Sequence, residues 1–81
     1  MRFVNIGFGN VVNTAKIVSV VSPESAPIKR IVQMSKADAT LVDATFGRKC
    51  KAVIITDSDY IILSALTTET ITARMEEKSD E

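Results

Sequence analysis

The chain has 81 residues, one cysteine, no histidine, and ten cations balanced by ten anions. So short a chain makes one domain and buries only about 60% of its unfolded surface, so its own core is marginal and self-association is open from the start. One thiol and no imidazole exclude an internal disulfide, a Cys/His metal cluster and a nucleophile paired with an ordinary base.

The opening stretch, MRFVNIGFGN, reaches Asn and Gly too soon to form the apolar stretch of a signal peptide. No segment approaches the 18 or more apolar residues that span a bilayer. A soluble, cytoplasmic protein with no membrane partner is expected.

RFVNI (residues 2–6) predicts a first strand, ended by GFGN, and KIVSVVS (16–22) a second, rich in β-branched residues. SPESAP (22–27) breaks the chain, and the period then changes. Ile28, Ile31, Val32 and Ser35 recur at helical spacing, which predicts a helix from Pro27 to Ala37 with one buried stripe. Pro27 suits only the first turn, whose N–H groups need no intrahelical partner. TLVDATF (40–46), KAVIIT (51–56) and YIILSAL (60–66) predict three strands separated by GRK and DSD, short turn-like links that suggest an antiparallel meander. A last helix, TETITARMEEK, begins with Thr68 as N-cap and Glu69 in the first turn, where the helix dipole favours an anion.

The order β-β-α-β-β-β-α gives an α+β fold, a small, mostly antiparallel five-stranded sheet with two short helices. Residues 1–75 form the domain, and 76–81 an acidic tail expected to fray. AVII and YIILSAL are apolar on both alternate faces, more than two short helices are expected to cover, so the surplus is assigned to other copies of the chain.

The motifs that could carry chemistry are mostly answered by turns and packing. GFGN follows a strand, but Val12 stands where the dinucleotide fingerprint needs a third Gly, and a strand follows where a helix should. A tight turn with positive φ is the better reading. DSD (57–59) lacks the later ligands of a calcium loop and reads as a hairpin turn. Cys50 has cationic neighbours that could lower its thiol pKa, yet with no base it reads as a small strand residue. No cofactor is called for.

The charges are unevenly placed. Residues 1–68 carry eight cations against five anions, and 69–81 two against five, so an acidic tail masks a basic body. One cationic group is Arg48, Lys49 and Lys51, with Gly47 and Arg48 read as a turn before a strand. Arg at such a tip can enter a DNA groove or clamp phosphates. A second is Lys29, Gln33 and Lys36 on the helix face opposite the apolar stripe, with Arg30 on its flank; Lys29 and Arg30 lie near the helix N-terminus, which disfavours cations. Lys16 precedes the second strand and could join either group. On residues alone, a DNA-binding surface and an ordinary solubilising hairpin stay equally open.

Taken together, in this order and spacing, NIGFGN, VSPESAPIKR, DATFGR, and DSD followed by ILSA and ET closely resemble the RemA family of bacterial regulators, small proteins that activate extracellular-matrix (biofilm) genes. The resemblance runs from Arg2 to about Arg74 without a gap. It implies a DNA-binding transcription regulator, not an enzyme, whose protomers assemble into a homo-oligomeric ring and whose fold is similar to the LytTR type of DNA-binding domain. Carried over by position, it implies DNA contacts from Lys16, Arg48, Lys49 and Lys51, with Lys29 and Arg30 assisting, and a structural role for Pro27. The family often has Arg where this chain has Lys16 and Lys49, which removes bidentate contacts there. Two other readings stand beside it: a ring whose cations pair with a neighbour's acidic tail, and a small-ligand sensor using the GFG turn.

Overall fold

The computed structural model describes residues 2–76. Its strands are β1 (Phe3–Gly7), β2 (Asn10–Asn13), β3 (Ile17–Val21), β4 (Leu41–Asp43), β5 (Ala52–Thr56) and β6 (Ile61–Ser64). Its helices are α1 (Ala26–Ala37) and α2 (Thr68–Glu76), and one 3-10 turn spans Thr14–Lys16. The α+β class with two helices is the one the sequence indicates. The expectation of a frayed tail falls almost wholly on residues 77–81, outside the described residues.

The strands differ from expectation in two respects. VVN, read as part of a connection, lies in a further strand, β2, which pairs antiparallel with β1. Phe8 and Gly9, at φ 55 and 78, form the two-residue link between them. Two successive positive φ values mark a type I′ turn, whose twist matches that of a hairpin. Gly7 N–H donates to Asn5 Oδ1 at 2.7 Å, and Asn10 Nδ2 donates to the Gly7 carbonyl at 3.0 Å. The tight-turn reading of GFGN therefore holds.

The other four strands form one sheet in the order β3-β5-β6-β4. β5 runs antiparallel to β3 and β6, while β4 pairs in parallel with β6. The last three strands are thus not a simple meander. β5 and β6 make the expected hairpin, with DSD in its turn, but β6 lies between β5 and β4. The reason is visible at the ends of the link: Ala44 N–H donates to the Leu63 carbonyl and Lys51 N–H to the Ser64 carbonyl. Residues 44–51 therefore arch over the C-terminal end of β6.

Both faces of β5 are covered within the one chain, because the hairpin β1–β2 supplies a third cover that the sequence reading lacked. Ala52 and Ile54 pack with Val4, Ile6 and Ile71 on the side of the hairpin and α2. On the other side Ile31 of α1 lines a groove with Ile55 and Ile61, and Val32 another with Val53 and Leu63. Val53 and Ile54 are fully buried, and full burial of a side chain of this size contributes about 1.5–3 kcal/mol. The exposed apolar side chains lie elsewhere, among them Val18 on edge strand β3 and Val42 on edge strand β4.

Polar side chains finish the elements. Ser25 caps α1, its Oγ accepting from the Ile28 N–H, and Pro27 sits in the first turn. The stripe Ile28, Ile31, Val32 and Ser35 does face inward, with Ser35 buried and its hydroxyl donating to the Ile31 carbonyl at 2.9 Å. For α2 the capping residue is Thr67 rather than Thr68: Thr67 Oγ1 accepts from the Thr70 N–H at 3.1 Å. Ser64, fully buried, joins the layers, donating to the Ile6 carbonyl at 2.8 Å and accepting from the Leu66 N–H at 3.1 Å.

Candidate nucleic-acid interface

The arch over β6 turns at Thr45–Arg48. Arg48 N–H donates to the Thr45 carbonyl at 3.0 Å, and Phe46 and Gly47 between them have φ 55 and 79. This is again the sign pattern of a type I′ turn. The turn centre is therefore Phe46–Gly47, not Gly47–Arg48, and Arg48 is its last residue. Asp43 holds the entrance: its Oδ1 accepts from Thr45 Oγ1 at 2.6 Å and from the Thr45 N–H at 2.9 Å. These two bonds, the hydroxyl's first, hold the Asp43 carboxyl below the usual carboxylate range.

The fold brings the two Phe-Gly turns together. The rings of Phe8 and Phe46 stack with centroids 5.1 Å apart and planes at 26°. The Arg48 guanidinium lies over the Phe8 ring, 5.8 Å from its centroid, within cation–π range. Phe8 is 49% exposed and Phe46 78%. An open cleft here is lined by Phe8, Arg48, Lys49, Lys51, Ala65 and Leu66, three cations with no carboxylate. A neighbouring cleft, lined by Lys49 and Lys51 together with Glu24 and Glu69, gives the basic patch an acidic border.

Of the remaining candidates, Lys16 is placed apart. The Lys16 carbonyl accepts from the Asp57 N–H, so Lys16 sits beside the far end of β5 from Lys51. The five residues of β5 put on the order of 17 Å between them. Lys29 lines the apolar groove between α1 and the sheet, with Cys50. Arg30 is exposed on α1. Burial pushes the Cys50 thiol up rather than down, and its Sγ donates to the Ala52 carbonyl at 3.3 Å, as befits a protonated packing residue. Among the described residues no group of His, Cys, Asp and Glu could hold a metal ion. No helix among them is long and apolar enough to cross a membrane.

The rings of Phe8 and Phe46 are what the sequence reading missed. A signal was present: FG occurs twice, each time at or just past the end of a predicted strand, and Phe replaces the Asn or Asp that such a turn favours.

Residues 3–75 match the model of the RemA-like family, described as extracellular matrix regulatory protein A-like. The chain belongs to the RemA-like family. Relatives in this family include a candidate regulatory protein of Brevibacillus brevis, 58% identical over 81 residues, covering all of this chain and 94% of the relative. One from Acetivibrio thermocellus is 57% identical over 81 residues, spanning all of this chain and 87% of its own, and one from Shouchella clausii is 54% identical over 80 residues, 99% of this chain and 92% of its own. The names of these RemA-like relatives denote regulation, not enzymatic activity.

Proposed function

We propose that this RemA-like chain is a cytoplasmic, non-enzymatic transcription regulator that binds double-stranded DNA as a homo-oligomeric ring and governs extracellular-matrix genes. The observation that carries this reading is the cleft where Arg48, Lys49 and Lys51 gather beside two exposed rings with no carboxylate among its lining residues. Guanidinium and ammonium groups gathered on one arch suit phosphate oxygens, and aromatic rings suit bases or sugars. Lys16 contacts a separate stretch of backbone, and Lys29 and Arg30 assist from α1.

Three phosphate contacts from one protomer bind DNA weakly at physiological salt, since nearly all of that affinity is counterion release. A ring multiplies them by effective concentration without any new kind of contact. Two features support self-association: β3 and β4 are open sheet edges, and each carries an exposed valine, Val18 and Val42. Arg48→Ala is expected to weaken binding to promoter duplexes and to lower the salt slope by about 1 for each engaged protomer, with oligomer size unchanged by light scattering. Unchanged affinity and slope would remove Arg48 from the interface.

A further inference from the structure

The paired Phe-Gly turns leave aromatic surface open to solvent. Both phenylalanines sit at φ 55, a conformation that a residue with a Cβ adopts at a cost and that Asn or Gly fills readily. The outer ring is 78% exposed. A strained backbone that presents an apolar ring to solvent, at the tip of a turn and beside three cations, asks for a ligand that takes both. A contact between copies of the chain fits less well, because interfaces are depleted of lysine and two of the three cations here are lysines. DNA fits well: architectural proteins set apolar wedges among Arg and Lys, push them between base steps from the minor groove, and so kink the duplex.

We propose that Phe46, braced by the stacked Phe8 ring, is such a wedge, partly unstacking one base step while Arg48 and the lysines hold the flanking phosphates. The inference rests on the DNA-binding reading above and deepens it. It makes the protein sensitive to deformability at a step with which it forms no hydrogen bond, so flexible pyrimidine–purine steps are favoured over stiff A-tracts.

The test uses the full chain and two duplexes of equal length, one with a central TA step and one with an A-tract, each carrying 2-aminopurine at the centre. Wild type is expected to prefer the TA duplex by roughly fivefold or more, the discrimination of a single base-pair position, and to raise 2-aminopurine fluorescence on binding. Phe46→Leu keeps an apolar wedge and retains much of both effects. Phe46→Asn suits the turn, so the fold persists with no fall in Tm; it binds more weakly, loses the preference and the fluorescence rise, and keeps its oligomer size. The wedge is overturned if Phe46→Asn retains the fluorescence rise, or if it changes the oligomer size, which would place Phe46 between copies. Salt-dependent binding by wild type without any rise overturns the wedge alone, whereas no salt-dependent binding to either duplex overturns the DNA reading itself.

Discussion

Asp43 shows how one side chain sets the geometry of the basic arch. Its carboxylate takes two hydrogen bonds from Thr45, which fixes the start of the turn that ends on Arg48. Asp43→Ala is expected to cost about 1–3 kcal/mol, since it leaves the hydroxyl and N–H of buried Thr45 without that acceptor. The sign with pH follows from the lowered pKa. The stabilisation is present above the ordinary value of 3.8 and is lost as pH falls through the folded-state value beneath it. Thermal melts of wild type and Asp43→Ala should therefore differ near neutrality and converge in acid. A gap that is constant with pH contradicts this account. At this scale the cations were legible in the sequence because charge runs are visible in one dimension. The Phe8–Phe46 stack was not, because it joins turns far apart in the chain.

Among elements, the join between the hairpin and the sheet depends on a polar residue inside the core. Ser64 is fully buried, and its hydroxyl serves both Ile6 and Leu66. Ser64→Ala leaves a buried carbonyl and a half-buried N–H without that partner, which is expected to cost about 1–3 kcal/mol. The loss should appear as faster amide exchange in β1–β2 and at the start of α2 than in β5. Uniform acceleration throughout the chain contradicts the local role. The stripe of α1 was legible from its period of 3.6, and β5 and β6 from their β-branched runs. β2 escaped notice because four residues beginning NVV carry little pattern, and the exposed Val11 breaks the alternation of a half-buried strand. The parallel pairing of β4 with β6 also lay beyond local reading, since it is fixed by bonds from both ends of the arch to the same strand. For the same reason the double-sided apolar pattern of AVII was taken for surplus surface, when the unrecognised hairpin covers it.

For the whole molecule, formal neutrality is a poor guide to what the surface attracts. The ten cations equal the ten anions in number, but three cations share one cleft at one end of the sheet. The anions of DSD lie in the turn beyond the other end of β5. A duplex approaching the arch meets this positive charge with Glu24 and Glu69 at its border, while the carboxylates of DSD lie beyond a Debye length of about 8 Å at physiological salt and are screened. With no histidine in the chain, this attraction should hardly vary between about pH 6 and 8. The most direct measurement of the central claim is an anisotropy titration of a labelled AT-rich duplex at several salt concentrations. Binding at micromolar protein or below is expected, with log K falling linearly against log salt at a slope of about −3 or steeper, as three or more phosphate contacts require. Absence of binding at micromolar protein, or binding that ignores salt, contradicts the account.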